Sequence, residues 1–173
     1  EAVRETAAKL GLMGIKIAAV TGDDMLNHVP DLQEKGETLS HIETGEPFDD
    51  INYMAVNANV YLGAAPIVDA LLEGADMVIT GRVADPCLYL APLIAHYGWD
   101  WTDWDKLASG IVAGHLLECT GQVVGGNSVG VMDSINLADA PQFGYPIAHV
   151  EADGTFVLSK TPDSAGIVSV NTV

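Results

Sequence analysis

Arg82 and Asp85 stand in Ile79-Thr80-Gly81-Arg82-Val83-Ala84-Asp85-Pro86, where an apolar stretch gives way to a polar loop. The chain has one other arginine, Arg4. A planar guanidinium here suits a carboxylate or phosphate held by two hydrogen bonds, or an internal ion pair with Asp85 or a distant acid. Asp85 before Pro86 has the form of a helix N-cap, and a capping acid also shapes the field at a helix amino end. Asp23 and Asp24 follow a second apolar stretch. Paired carboxylates can shift each other's pKa, pass a proton or hold Mg²⁺ through oxygen, or they can form a polar turn that caps the next helix.

His115, Glu118 and Cys119 lie three and four residues apart, a spacing that shares one helix face. His115 is a candidate general base or a histidine packed against a sheet. His115 and Cys119 have metal-ligand chemistry, but no third and fourth ligands stand at a diagnostic spacing, and no metal is assigned. Gly121, Gly125 and Gly126 surround Gln122, Asn127 and Ser128. Such glycines let backbone amides approach an anion, or they make a tight connector. The segment is neither a Walker motif nor G-x-G-x-x-G. Asn57 and Asn59 alternate along a strand-like run and would face one side. Trp99, Trp101 and Trp104 read as a core plug or an interface. No G-x-S-x-G elbow is present.

The elements that must carry these residues follow from periodicity. Val3, Ala7 and Leu10 share a helical face, with Gly11 at the C-cap. Residues 15–20 read as a buried strand and residues 76–80 as a second, which puts Asp23, Asp24, Arg82 and Asp85 beyond strand carboxyl ends, where open α/β sheets keep ligands. Residues 25–50 read as loops with one short helix. Residues 53–62 read as strand-like. Pro66 opens a helix that ends near Gly74. A helix over 87–97 breaks at Gly98. Thr102 to Asp105 has the form of a capping box for a helix over 104–119, whose apolar face is expected through Leu107, Ile111, Leu116 and Leu117. Residues 120–130 are Gly-rich, and 131–145 are loop-like. Asp153-Gly154 between two apolar runs, 146–150 and 155–159, reads as a hairpin.

The fold class expected is therefore α/β: a mainly parallel sheet flanked by helices, with an antiparallel β-rich carboxyl segment. The expected division is an α/β domain over 1–130 and a β-rich segment over 131–173. The 173 residues are 49% hydrophobic, enough for a packed core. Seven Lys and Arg against 24 Asp and Glu give a net charge of −17, which repels nucleic acid and anionic lipid. Cys87 and Cys119 fit no zinc spacing and read as buried free thiols in a reducing cytoplasm. No signal segment or bilayer-long apolar run is read. The chain opens in helical rhythm without Met, so a piece of a longer protein is expected.

Several collinear motifs go further. Gly22-Asp23-Asp24, Ala58-Asn59-Val60-Tyr61-Leu62-Gly63-Ala64, Ile79–Pro86 as above, Gly114-His115-Leu116-Leu117-Glu118-Cys119, Gly121-Gln122-Val123-Val124-Gly125-Gly126, Gly144-Tyr145-Pro146-Ile147-Ala148-His149-Val150 and Asp153-Gly154 together resemble the acyclic terpene utilisation protein family. The resemblance implies a part in the breakdown of acyclic terpenoids, which runs through branched acyl-CoA thioesters, and a full length greater than this chain's. It assigns no catalytic roles and no cofactor. Asn127-Ser128-Val129-Gly130 departs from the aromatic and acidic-Pro pattern of many members.

The expected function is a cytoplasmic catabolic enzyme of lyase, hydratase or isomerase type, acting on a branched carboxylate or its CoA thioester. Asp23, Asp24 or His115 would move the proton. Arg82, Asp85, Asn59, Gly125, Gly126 and Asn127 would bind substrate, with the Gly-rich amides facing an oxyanion. A homo-oligomer is expected, with no nucleic acid and no membrane as partner. The alternative is a non-catalytic scaffold subunit for other enzymes of the pathway.

Overall fold

The computed structural model describes residues 1–51, 55–128 and 137–173, and the side chains of residues 50 and 51 are not described. The chain forms two compact units, one from residues 1–63 and 75–83, the other from 64–74 and 84–173.

In the first unit, α1 (Ala2–Lys9) leads to β1 (Ile17–Val20), then α2 (Val29–Glu34) and the short α3 (Phe48–Ile51), and closes with β2 (Met77–Thr80). The strands pair in parallel, in register from Ile17 opposite Met77 to Val20 opposite Thr80. The β-branched Ile17, Val20, Val78, Ile79 and Thr80 suit this pleated pair. A carboxylate fixes its entrance: Asp76 Oδ2 accepts the Lys16 amide at 2.8 Å, while Lys16's carbonyl accepts the Asp76 amide. Among the unit's described residues, Ala7, Val20, Val29 and Val83 are the buried apolar ones.

The expectation of a mainly parallel sheet is corrected here. Among the described residues the sheets are this one parallel pair and one antiparallel pair, a mixed α/β architecture. Residues 53–62 do not make a regular strand where they are described, and residues 53 and 54 lie outside the described residues. Residues 59–62 instead form two single bridges, Asn59 with Asp24 and Leu62 with Val83. The Val60 amide donates to Asp23's carbonyl and the Leu62 amide to Arg82's, so this segment is bonded first to one post-strand loop and then to the other. A ladder to a single partner is replaced by contacts to two.

The second unit is a helical layer with a hairpin. It holds α4 (Ala65–Leu72), α5 (Cys87–Tyr97), α6 (Trp104–Glu118), β3 (Pro146–Val150) and β4 (Phe156–Lys160), with 3₁₀ turns between α6 and β3. α5 packs on both α4 and α6. Ile67, Val68, Leu90, Ala91, Ile94, Leu107 and Ala113 are buried there. α5 ends at Gly98 in the left-handed conformation (φ 64°), as Gly at a helix stop predicts.

Three local expectations fail for identifiable reasons. The buried arc of α6 is Leu107, Gly110, Ala113 and Gly114, and Ile111 is exposed. The arc is set by how closely α5 comes: a Cβ on Gly114 would lie 2.7 Å from the Pro86 carbonyl oxygen, and one on Gly110 2.6 Å from Leu90 Cδ1. Thr102 does not cap α6. Its amide and hydroxyl both donate to Asp100 Oδ1, while the N-cap Asp103 accepts the Asp100 amide and the Lys106 ammonium. Asp85 does not cap α5, because the helix starts one residue later with Pro86 at the N-cap and no side-chain cap bond.

The hairpin expected around Asp153-Gly154 is present, with Pro146 opposite Lys160 and Val150 opposite Phe156. Asp153 Oδ1 accepts both the amide and the hydroxyl of Thr155. Trp99 is buried, stacks on Tyr97 at 5.7 Å, and donates its indole N–H to Ala152's carbonyl at 2.9 Å. Tyr97 donates to Val150's carbonyl at 2.6 Å. Trp99 is thus the core plug, whereas Trp101 and Trp104 are exposed. The residues before the hairpin form a 3₁₀ turn over Leu137–Gln142, and 129–136 lie outside the described residues.

The α5–α6 contact leads to a prediction of unusual sign. Gly to Ala within a helix ordinarily stabilises by up to about 1 kcal/mol. Gly114→Ala is expected to destabilise by about 1–3 kcal/mol, because its Cβ meets backbone that cannot yield. Ile111→Ala is expected to stay within about 0.5 kcal/mol. Urea unfolding of the two variants beside the parent checks both.

Candidate functional site

Both strands of the parallel pair end in chemistry. Three residues past β1 stands Asp23, and two residues past β2 stands Arg82. Asp23 Oδ2 accepts the Arg82 backbone amide at 2.8 Å and the Asn59 side-chain amide at 3.2 Å. Gly81 makes the approach possible: a Cβ there would run into the Asp23 carboxylate. One carboxyl group thereby joins the loop after β1, the 59–62 segment and the loop after β2.

The guanidinium is held separately. Arg82 Nη2 donates to the Tyr61 hydroxyl at 2.8 Å, and the guanidinium carbon lies 4.8 Å from the Tyr61 ring centroid. That is cation–π geometry, with the hydrogen bond setting the rotation of the planar group. Tyr61 and Arg82 are both exposed. A phenol oxygen that accepts from Arg82 still has its own O–H to donate. The guanidinium and the phenol thus stand side by side at the surface of the unit.

Asp23 is ionised at neutral pH. The Arg82 amide holds its carboxyl below the usual carboxylate range, its own amide, the Asn59 amide and the Arg82 charge add to that, and desolvation opposes it. Asp24 is engaged elsewhere. Its Oδ1 accepts the Leu26 amide at 3.0 Å, fixing the 3₁₀ turn that follows. The two adjacent carboxyl groups are thus divided, one into the cluster and one into the turn.

Of the residues singled out from the sequence, Asp23, Asn59 and Arg82 come together, with Asp24 beside them. Tyr61 escaped that reading. The signal was available, since it lies two residues after Asn59 on the same alternating run.

Asp85, His115, Gly125, Gly126 and Asn127 belong to the second unit. His115 is exposed and not packed against a sheet, because its neighbours Ala113 and Gly114 occupy the buried arc of α6. Cys87 and Cys119 are free and half-buried. Cys119 donates its thiol to Glu118 Oε2 at 3.3 Å. That bond, burial and the charges of Glu118 and Asp85 push its pKa up. A thiol held protonated is a poor metal ligand and nucleophile. Among the described residues no group of three or more His, Cys, Asp and Glu is arranged to hold a metal ion.

The Gly-rich loop turns its amides inward. Gln122, Val123, Gly125 and Ser128 donate to the carbonyls of Cys119, Thr120, Gln122 and Gly125 in successive turns. A Cβ on Gly126 would lie 2.8 Å from the Gly121 carbonyl oxygen, so compactness accounts for that glycine. These four donors are spent on the loop itself. An open cavity of about 620 Å³ borders it, lined by Cys119, Gln122, Gly126, Asn127, Phe143 and Tyr145 among others. Among the loop's side chains facing it are the amides of Asn127 and Gln122, 3.5 Å apart.

The family model of the acyclic terpene utilisation family protein AtuA matches residues 1–173. The chain belongs to the AtuA family. Membership places it in acyclic terpene utilisation. No curated protein and no solved structure matches this AtuA-family chain. Among its described residues no helix is long and apolar enough to cross a membrane.

The lowered pKa of Asp23 has a definite sign. A carboxyl whose folded pKa lies below its unfolded value of 3.8 adds stability that is present above that value and lost as pH falls through the folded one. Asp23→Asn is therefore expected to be less stable than the parent at neutral pH and to approach it at about pH 3. Urea midpoints at both pH values check this, and an equal gap at both would contradict it.

Proposed function

We propose that this chain acts in acyclic terpene utilisation as a catabolic enzyme on a branched carboxylate or its CoA thioester, and that Arg82 binds the anionic end of that molecule. The observation that supports this is the exposed guanidinium beyond the carboxyl end of β2, turned by Tyr61 and set in place by the Asp23 bond to its backbone. A carboxylate or phosphate oxygen meeting this pair gains charge-assisted hydrogen bonds from the guanidinium and one from the phenol.

Lyase, hydratase or isomerase chemistry suits the same group. These reactions need a proton delivered to, or taken from, an acyl framework whose oxygen gathers negative charge. Tyr61 is the donor nearest Arg82, and Asp24 is the carboxylate next to the cluster. Asp23 is engaged in holding the loops. His115, Asp85, Gly125, Gly126 and Asn127 belong to the other unit and are assigned no part in the Arg82 group.

One observation favours the scaffold alternative. Leu10, Leu12, Met13 and Met77 are 70%, 54%, 83% and 40% exposed in the first unit, and an apolar groove of about 290 Å³ runs among several of them. Exposed apolar groups on this scale suit a covering partner.

A permanently ionised branched probe separates the readings. 3-Methylbutane-1-sulfonate keeps the charge and tail of the proposed substrate class. Its binding, followed by calorimetry, is expected to weaken at least tenfold, about 1.4 kcal/mol, in Arg82→Ala, with the unfolding midpoint unchanged. Equal affinity in the folded variant would overturn the assignment of Arg82.

A further inference from the structure

The first unit holds a carboxylate beside an arginine assigned to bind anions. Coulomb's law alone makes Asp23 a hindrance, since a fixed negative charge repels the ligand that Arg82 attracts. The geometry points the other way. We propose that Asp23 is the positioning residue of the anion site, and that its carboxylate favours anion binding by fixing Arg82 and Asn59 although its charge opposes the ligand. The inference rests on the reading of Arg82 as the anion-binding group.

Four observations carry it. Asp23 bonds the backbone N–H of Arg82, so the carboxylate fixes where the arginine side chain begins. The guanidinium itself is turned towards Tyr61. The same oxygen accepts Asn59 Nδ2, and Asn59 lies two residues before Tyr61, so the Arg82 backbone and the segment that carries Tyr61 are both held by one atom. Finally, glycine at position 81 is what leaves room for the carboxylate, since any Cβ there would enter it. A chain held in this way enters binding with less conformational freedom to lose, which is how preorganisation raises affinity.

Among the described residues of the unit, the charged and titratable groups of this cluster around Asp23 are Arg82, Asp24 and Tyr61. Arg82 is always cationic, and Asp24 is committed to the Leu26 amide. The cluster is thus in its working form throughout the neutral range, with Asp23 ionised.

Charge and position predict opposite signs, so substitution decides between them. The measurement is binding of 3-methylbutane-1-sulfonate to the whole chain at neutral pH. Asp23→Ala is expected to weaken it at least tenfold, as the loss of a hydrogen-bonded charged group implies. Asp23→Asn keeps an acceptor for the Arg82 amide and is expected to recover binding to within about threefold of the parent. Gly81→Ala, which removes no charge, is expected to resemble Asp23→Ala. Unchanged or tighter binding in Asp23→Ala would overturn the proposal and leave Arg82's role standing. Should Asp23→Ala fail to fold, tighter binding by Asp23→Asn than by the parent overturns it equally. Loss of binding in none of these variants and none in Arg82→Ala would remove the anion site itself.

Discussion

A single carboxylate oxygen accepts hydrogen bonds from two segments of chain that are far apart in sequence, and the order of the first unit follows from it. β1 and β2 are four residues each. A two-stranded pair of that length is marginal in water. Here an acid stands at each end: Asp76 takes the Lys16 amide at the entrance, and Asp23 takes the Arg82 amide at the exit. Both satisfy a backbone donor that the short ladder leaves without a strand partner, and a bond to a charged acceptor is stronger than an ordinary ladder bond. Gly81 belongs to the same arrangement, since the carboxylate occupies the space a side chain would need.

The second unit solves a different problem. Its helices come close through glycine and alanine on α6, and its hairpin is anchored by Trp99 and Tyr97 at the end of α5. Two glycines of its carboxyl half let backbones come close. Gly126 lies against Gly121's carbonyl, and Gly166 fits against the carbonyls of Phe143 and Val124. The nearby cavity takes polar side chains from Thr120, Gln122, Asn127 and Tyr145.

Elements governed by local signals were legible in the sequence. The helices over 87–97 and 104–118, the strands after residues 16 and 76, and the hairpin at Asp153-Gly154 each have period, punctuation and length in agreement. Features set by a neighbour were not. Which side of α6 is buried depends on α5's approach, and Ile111 loses to Gly110 and Gly114 for that reason. Thr102 forms a tighter turn with Asp100 than the capping box it resembles. The extent of the parallel sheet could not be read from two strand-like runs. At the site, Asp23, Asn59 and Arg82 were identifiable by type and place, but their junction was not. It joins residues 36 and 59 positions apart, and its enabling feature is the absence of a side chain at Gly81. Tyr61 shares the alternation of Asn59, which marks a common side of the run but not the Arg82 guanidinium as its partner.

The Asp23 carboxylate holds the Arg82 backbone, and hydrogen exchange of the Arg82 amide reads that bond directly. The amide should be protected in the parent chain, and in Asp23→Ala it should exchange at the rate of an open loop while the β1–β2 ladder amides stay protected. Equal protection of the Arg82 amide in both proteins would contradict the account.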